Sequence, residues 1–276
     1  MRVLLSGLAA ALLLAASPAA ACIVPDEVAA WLTRAPVTAE PGDCKFAIPT
    51  RDAWLRHLQD ELGPQVGYKA GLTTKAAQDR FGTEAPVLGL LFQRMILDDG
   101  AEVDARFGAR GMWEADFLLV VGDEAINEAA DREQALASLR GYRPFIELPD
   151  LIYGPDVRVF GHMLAVINVG ARLGVAGRER PLPAKALTAL ADMRVRAFDG
   201  SGALLAEGQG SDALGHPLDV VLWVRDQVKA EGGRLKPGDV ISVGAFTPLT
   251  PPAPGQTVRV RYEGLPGDPE VSVRFR

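Results

Sequence analysis

Two acidic residues stand at the head of an apolar run near the middle of the chain. The stretch GMWEADFLLVV places Glu114 and Asp116 at the start of a segment that is typical of a buried β-strand. Side chains alternate across a strand, so positions i and i+2 project from the same face. Two carboxylates on one face repel each other, and burying an ionised carboxylate without a partner is costly. The protein must therefore supply a cation, a shared proton or water here.

A third acid belongs with this pair. The stretch RPFIELPDLIYG sets Glu147 inside a second apolar run, with Asp150 just beyond it. Three carboxylates on two strands, with no cysteine or histidine close by in the sequence, are ligands typical of Mg²⁺ or Mn²⁺ rather than of zinc. Buried acids are also commonly satisfied by arginine or by backbone donors, so both interpretations stay open on the residues alone.

The elements that must position these acids form an α+β pattern. Helical spacing occurs in PDEVAAWLTRA, in PTRDAWLRHLQDEL with Thr50 as N-cap, in REQALASLR, and in GHPLDVVLWVRDQVKAEG, where Pro217 suits a first helical turn. The segments DVISVGAF, QTVRVRYEG and VSVRFR alternate or run apolar between turns rich in proline and glycine, as strands do. We therefore predict an α+β fold with a β-rich core.

Composition narrows the class of partner. The chain has 276 residues, of which 48% are hydrophobic and 23% charged, which is typical of a globular protein. Its net charge of -6 and pI near 5.2 argue against a nucleic-acid groove or an anionic membrane surface, because both require clustered lysine and arginine. A small-molecule partner is expected instead.

The N-terminus predicts export. Residues 1–21 combine Arg2, an apolar stretch and a small-residue site ending in Ala21, which is the pattern of a signal peptide too short to span a membrane. A periplasmic location is expected, and Cys22 directly after the alanines keeps a lipoprotein as the alternative. In an oxidising compartment Cys22 and Cys44 are predicted to form a disulfide, the alternative being two unrelated thiols. We divide the remainder into an N-terminal helical segment, 22–95, and a catalytic core, 96–276.

Several motifs occur in an order found in a known family. The stretches VGYKAGLTTKAAQDRFGTEAPVLGLLF, WEADFLLVVG, PFIELPD and GHPLDVVLWV followed by LKPGDVISVGAFT resemble the 2-keto-4-pentenoate hydratases and 2-oxohepta-3-ene-1,7-dioate hydratases. These enzymes lie within the fumarylacetoacetase-like superfamily. The resemblance implies a mixed β-roll or sandwich core like the C-terminal domain of fumarylacetoacetase, with N-terminal and flanking helices. The resemblance is also compatible with assembly of this protein into a homo-oligomer.

The resemblance also implies site residues. Glu114, Asp116 and Glu147 would bind Mg²⁺ or Mn²⁺, with Asp116 in place of the usual glutamate. Lys69 would lie near the substrate and take part in catalysis, although on sequence alone it could be a solvated loop lysine. In SVGAFT, Gly244 and Thr247 would line the substrate pocket, while Ala245 replaces a serine.

One departure from the family affects the proton donor. Where the hydratases carry ADNAS, this chain reads VFGHMLA, so Gly161 and His162 replace an acid and an amide. Hydration of a conjugated C=C needs a positioned proton donor or base, and an imidazole with an ordinary pKa exchanges protons near neutral pH. We therefore predict that His162 borders the pocket beside Lys69, the alternative being a packed core histidine.

The implied function is a metal-dependent hydratase-like lyase acting on an unsaturated 2-keto acid. The cation would hold the carboxylate and keto oxygens and stabilise an enolate. A decarboxylase or acylpyruvate hydrolase of the same superfamily uses the same enolate and is the related alternative. A third expectation is a non-catalytic exported protein that binds a 2-keto acid, and a fourth is a structural domain whose buried acids are satisfied internally.

Overall fold

The computed structural model describes residues 25–38 and 47–276. The predicted signal segment and the predicted Cys22–Cys44 pair lie outside these residues. Seven α-helices occur in the described residues: α1 Pro25–Thr33, α2 Ala47–Leu62, α3 Lys75–Phe81, α4 Arg132–Ala137, α5 Gly161–Val166, α6 Ala186–Asp192 and α7 Pro217–Ala230.

The four helices predicted from sequence spacing are confirmed, with changed boundaries. α4 ends at Ala137, and the last residues of the segment predicted for it lie in a β-strand, Leu139–Leu148. α7 begins at Pro217, and the His216 ring accepts a hydrogen bond from the Leu218 backbone N–H at 3.0 Å. α2 begins at Ala47, so Thr50 lies within the helix rather than at its N-cap.

Twelve strands form two sheets in the described residues. They are β1 Gln65–Gly71, β2 Val87–Phe92, β3 Ile96–Asp98, β4 Ala101–Val103, β5 Glu114–Val121, β6 Leu139–Leu148, β7 Leu173–Ala176, β8 Arg194–Asp199, β9 Leu204–Gln209, β10 Val240–Ser242, β11 Thr257–Glu263 and β12 Glu270–Phe275. The larger sheet has the order β2-β1-β10-β5-β6-β7-β3, and the smaller has the order β4-β12-β11-β8-β9. The predicted α+β class is confirmed.

One face of the larger sheet packs against the smaller sheet. Phe117 of β5 stacks on Tyr142 of β6 with ring centroids 5.1 Å apart, and Tyr262 of β11 approaches Phe117 at 5.3 Å. All three rings are buried. The odd-numbered residues of β5, Ala115, Phe117, Leu119 and Val121, belong to the main apolar core, which therefore lies between the two sheets.

The opposite face of the larger sheet is covered by helices. Leu118 and Val120 of β5 and Phe145 of β6 pack in one buried cluster with Trp54 of α2 and Met163 of α5. Since Glu114 and Asp116 share the face of Leu118, the acids also project toward this helical layer.

The predicted boundary at residue 95 is wrong. β1 and β2 lie within the segment predicted to be helical, yet β1 pairs parallel with β10 in the middle of the larger sheet. Glycines weaken the apolar pattern of these strands, but close packing requires them: a Cβ on Gly67 would lie 2.0 Å from the Val240 carbonyl oxygen. The sheet that carries the acids therefore begins at residue 65, not after 95.

Within the described residues, none of the helices combines the length and apolar character needed to cross a membrane.

Candidate active site

The three predicted acids come together on two paired strands. Glu114 and Asp116 lie on β5, and Glu147 on β6 stands directly opposite Glu114 in the antiparallel register. Asp116 and Glu147 are almost completely buried, whereas Glu114 is partly exposed at the wall of a cavity. The alternation of side chains along both strands places all three on the helix-covered face.

Lys69 joins this group from β1. Its Nζ forms an ion pair with Glu147 Oε1 and donates a hydrogen bond to the Val169 carbonyl oxygen at 3.1 Å. The residue is only 2% exposed, so the alternative of a solvated loop lysine is wrong. Glu114, Asp116, Glu147 and Lys69 are named the acid–lysine cluster below.

Asp116 is held by its neighbours. Its carboxylate accepts hydrogen bonds from the backbone N–H of Phe117 and from the hydroxyl of Ser242, which lies on β10 between Lys69 and β5. Burial, reinforced by the charge of Glu147, raises the pKa of Asp116 to about 7 despite these two donors. Asp116 therefore takes up a proton near neutral pH when no further cation is present.

The pKa of Glu114 is raised in the same direction as that of Asp116. Burial raises the pKa of Glu114 well above its ordinary value, and the charges of Glu147 and Asp116 raise it further, while Lys69 opposes them. The close approach of the Glu147 carboxyl also favours the protonated form of Glu114. The acids thus carry more negative charge than the protein around them compensates.

The charges in the acid–lysine cluster fit a divalent cation. Three carboxylates and one ammonium group sum to a charge of −2 when all are ionised. Glu147 Oε2 is buried without a hydrogen-bond partner in the described residues, and each Asp116 oxygen retains acceptor capacity beyond its one bond. Within the described residues, however, no three acidic, histidine or cysteine side chains are already arranged around a common point.

A turn with an unfavourable backbone conformation supplies the carbonyl oxygen that Lys69 bonds. Asn168, Val169 and Gly170 all have positive φ, of 55°, 56° and 68°, and this conformation is unfavourable for a β-branched residue such as Val169. The Asn168 side chain accepts from the Leu90 N–H at 2.7 Å and donates to the Leu90 carbonyl at 2.8 Å. This clamp on β2 holds the turn so that the Val169 carbonyl faces Lys69. We name Asn168–Gly170 the clamp turn.

The SVGAFT segment forms another part of the wall. Thr247 and Ala245 line the cavity, and Thr247 Oγ1 accepts a hydrogen bond from the Ala115 N–H at 2.9 Å, next to Glu114. Gly244 has a φ of 92°, and a Cβ there would lie 2.3 Å from Thr73 Oγ1. Gly244 therefore permits the close approach of this segment to the loop after β1. Of the two residues predicted to line the substrate pocket, Thr247 lines the cavity and Gly244 does not.

The acid–lysine cluster opens into a cavity of about 520 Å³. Its walls are largely apolar, and the cavity extends from Lys69 and Glu114 to helix α3. The apolar side chains that line it include Leu72, Phe81, Leu151, Leu164, Val169, Phe246 and Leu249. A cavity that combines apolar walls with a few charged groups is typical of a small-molecule site.

The structure does not bring His162 to this cluster. Its side chain is exposed and stacks on the Phe160 ring with centroids 5.8 Å apart, and it is not among the residues that line the cavity. In α5 the neighbouring Met163 and Leu164 turn inward, and this helical geometry leaves His162 on the solvent side. It is neither a pocket residue nor the packed core histidine considered as the alternative.

Asp150 has a structural role. Its carboxylate accepts from the backbone N–H groups of Ala109, Arg110 and Ile152 and pairs with Arg172 at 3.1 Å. The second interpretation of buried acids, satisfaction by arginine and backbone donors, thus holds for Asp150.

Three polar residues near the cluster were not predicted: Ser242, Asn168 and Tyr262. The Tyr262 hydroxyl bonds the backbone carbonyls of Asp116 and Phe145 and accepts from the Phe145 N–H at 3.0 Å, which ties β5 to β6 beside the acids. A lone asparagine in the apolar segment MLAVINVGA was the available signal for Asn168. Ser242 and Tyr262 lie in strands that resemble ordinary core strands.

Comparison with known proteins supports the resemblance that the sequence motifs indicated. The chain is 28% identical to 2-hydroxyhexa-2,4-dienoate hydratase of Comamonas testosteroni over 216 residues, covering 76% of this chain and 80% of the relative. It is 27% identical to 4-oxalocrotonate decarboxylase of Pseudomonas putida over 245 residues, covering 87% and 89%. No protein-family model matches the chain.

The fold of the protein is also similar to that of a solved structure of one of these enzymes. 4-Oxalocrotonate decarboxylase from Pseudomonas putida G7, complexed with magnesium and adipate, superposes with a TM-score of 0.73 at 25% identity, covering 83% of this chain and 85% of that one. The chain is thus similar in sequence to the 2-hydroxydienoate and 2-keto-4-pentenoate hydratases, and in sequence and fold to 4-oxalocrotonate decarboxylase.

Proposed function

We propose that the protein is a divalent-metal-dependent hydratase that adds water to an unsaturated 2-keto acid. The observation that carries the proposal is a buried lysine set among three carboxylates at the wall of an apolar-walled cavity. The similarity to 2-hydroxyhexa-2,4-dienoate hydratase supports this reaction, and a lyase is the expected enzyme class.

Glu114, Asp116 and Glu147 would hold the metal. The unpartnered Glu147 oxygen and the uncompensated charge of the cluster suit a hard cation with oxygen ligands. Such a cation supplies Lewis acidity toward the carboxylate and keto oxygens of the substrate. The magnesium in the solved decarboxylase supports Mg²⁺, with Mn²⁺ as the alternative.

Lys69 would carry the proton. Its Nζ is fixed by Glu147 and the Val169 carbonyl, so one N–H direction remains for the cavity that Lys69 lines. An ammonium group in this position can deliver a proton to a substrate carbon and recover it from the attacking water. Thr247 and the apolar walls would position the carbon chain. His162 has no part in the proposed mechanism.

The test is turnover of 2-hydroxyhexa-2,4-dienoate with Mg²⁺, followed by loss of dienol absorbance and by the product mass. We expect a product heavier by one water. Glu147→Gln should abolish turnover, whereas Glu179→Gln, which removes an exposed carboxylate paired with Arg140, should behave like the parent. Absence of turnover by the folded, metal-loaded protein would contradict the hydratase proposal.

Decarboxylation is the second candidate. The decarboxylase relative covers more of this chain than the hydratase relative does, and the solved neighbour is also a decarboxylase. Release of CO₂ from 4-oxalocrotonate without addition of water would assign that reaction. Binding of a 2-keto acid without either reaction would assign the non-catalytic alternative.

We also propose export to the periplasm, supported by the signal-peptide pattern of residues 1–21. Mass spectrometry of the protein from its host would test cleavage after Ala21 and the state of Cys22 and Cys44.

A further inference from the structure

The cavity holds one carboxylate that is not part of the acid–lysine cluster. The charged residues that line the cavity are Lys69, Lys75, Arg80, Glu114 and Asp212. Lys69 and Glu114 belong to the cluster. Lys75 and Arg80 lie on α3, where Lys75 is paired with Asp79. Among the described residues that line the cavity, Asp212 is therefore the acid to which the proposed function gives no part.

Asp212 stands between two walls of the cavity. The Leu214 N–H donates a hydrogen bond to the Thr73 carbonyl, in the loop after β1, at 3.2 Å. A Cβ on Gly208 would lie 2.0 Å from the Phe246 carbonyl oxygen and 3.1 Å from Asp212 Oδ2, so these two oxygens are close to each other. The carboxylate therefore adjoins the SVGAFT segment, which lines the cavity beside the cluster.

One oxygen of this carboxylate is free to accept a hydrogen bond. Oδ2 of Asp212 accepts from the Gln209 N–H at 2.8 Å, and Oδ1 has no hydrogen-bond partner within the described residues. The residue is half-buried, Oδ1 is not enclosed by the protein, and no lysine or arginine in the described part of the chain pairs with it. An ionised carboxylate only accepts hydrogen bonds, so its position in the wall suits a hydroxyl group or a water molecule.

The proposed hydration needs such an acceptor. Lys69, having given its proton to a substrate carbon, takes one hydrogen of the attacking water, while the water oxygen bonds to carbon 4 of the substrate. The second hydrogen of the water stays on the new hydroxyl group. A group that accepts from this O–H holds the water in the orientation required for attack. The His162 ring, which was predicted to border the pocket, does not line the cavity and leaves this task open.

We propose that Asp212 accepts a hydrogen bond from the attacking water and, after the addition, from the hydroxyl group that the water becomes. The site then prefers a 2-keto acid with a hydroxyl at carbon 4 over the same acid without it. This inference rests on the proposed function, since it takes the acid–lysine cluster as the site of the keto-acid end and carbon 4 as the carbon that receives the water.

The test uses two six-carbon acids that differ by one hydroxyl, 4-hydroxy-2-oxohexanoate and 2-oxohexanoate. Their dissociation constants are measured by calorimetry with saturating Mg²⁺ for the parent protein and for Asp212→Ala, Asp212→Asn and Asp239→Ala, and the tighter enantiomer of the hydroxy acid enters the ratio. Asparagine keeps an acceptor for the Gln209 N–H, so Asp212→Asn preserves the turn. Asp239 is the matched control, because it is half-buried, accepts at 2.8 Å from the N–H three residues earlier as Asp212 does, and does not line the cavity.

We expect the parent to bind the hydroxy acid about three- to tenfold more tightly than 2-oxohexanoate. This factor is smaller than a fully buried charged hydrogen bond gives, because Asp212 is open to water. Asp212→Ala should reduce the ratio to near one, Asp212→Asn should retain part of it, and Asp239→Ala should retain all of it. A parent ratio near one, a ratio that survives Asp212→Ala, or an equal loss in Asp239→Ala would overturn the inference.

Turnover adds a second readout. In an active protein, Asp212→Ala should lower kcat for 2-hydroxyhexa-2,4-dienoate by at least about tenfold and change KM less, because the bound substrate no longer faces an oriented water. An unchanged kcat would overturn the assignment of the water.

The outcome is separable from the proposed function, because the binding ratio requires no turnover. A catalytically silent protein that still prefers the hydroxy acid through Asp212 would refute the hydratase and keep Asp212 as a hydroxyl-binding residue. Turnover of 2-hydroxyhexa-2,4-dienoate together with a binding ratio near one would do the reverse.

Discussion

Asp116→Asn should make the metal-free protein less sensitive to pH. The carboxyl has a pKa of about 7 in the folded protein against an ordinary 3.8, so folding favours its protonated form. An acid whose pKa is raised by folding stabilises the protein fully below its unfolded pKa, and this contribution is lost as the pH rises through the folded value. The loss should therefore fall between about pH 4 and pH 7.

The size of the effect follows from the shift. Each pH unit well inside this window removes about 1.4 kcal/mol, and the slope halves at the folded pKa, so the free energy of unfolding should fall by about 2 kcal/mol from pH 5 to pH 7. The charge of Asp116 also raises the pKa of Glu114, so the two acids titrate together and the variant should lower the response of both. Asparagine keeps one acceptor, and the Ser242 hydroxyl can turn to accept from its amide.

Urea unfolding followed by circular dichroism, with EDTA present, would measure this at several pH values. Asp226→Asn is the matched control, since Asp226 is an exposed partner of Arg225. We expect the parent and the control to lose stability in parallel and Asp116→Asn to give a flatter profile. Saturating Mg²⁺ should flatten the parent profile as well. Parallel profiles for Asp116→Asn and the parent would refute the reasoning about the buried charge.

Three further variants test the surroundings of the site. Lys69→Met should reduce kcat by about 10²- to 10⁴-fold in steady-state assays, because the proton carrier is lost, and a kcat within fivefold of the parent would exclude that role. In Asn168→Gly the glycine still adopts the positive φ, but the two hydrogen bonds to Leu90 are lost, so the Val169 carbonyl no longer holds Lys69 in place. We expect kcat to fall by a larger factor than KM rises, and an unchanged kcat would show that these hydrogen bonds are purely structural. Tyr262→Phe should cost about 1–3 kcal/mol in urea unfolding, because it leaves the Phe145 N–H without its partner, and a loss below about 0.5 kcal/mol would contradict this.

The acids could be predicted because a carboxylate in an apolar strand is costly and therefore informative. Glu114 and Asp116 share a strand face by simple alternation, and the register with Glu147 follows from pairing β5 with β6. The family motif, rather than any local pattern, identified Lys69. The prediction of the acids depends on short-range regularities that a single sequence displays, whereas the prediction of Lys69 depends on the resemblance to other proteins.

The errors arise where the information is non-local. β1 lies inside the segment predicted to be helical, and Gly67, which interrupts its apolar pattern, is required by the close approach of Val240, which is far away in the sequence. His162 was predicted to border the pocket because it stands where the hydratases carry an acid and an amide, but helical phase turns it to solvent. The nearby polar residue with a role at the site is Asn168, whose side chain holds the clamp turn on β2. The contact of Asn168 with Leu90 of β2 has no signature in either stretch alone.

The clamp on Leu90 also has a consequence for the edge of the larger sheet. β2 is the outermost strand on its side, and an edge strand presents unpaired N–H and C=O groups that another chain can extend. The amide of Asn168 offers one acceptor and one donor to Leu90, as a residue of a neighbouring strand would. At Leu90, that single side chain completes the hydrogen bonding and occupies the place of a foreign strand, so the turn that supplies the Val169 carbonyl to Lys69 also closes the edge of the sheet at this one position.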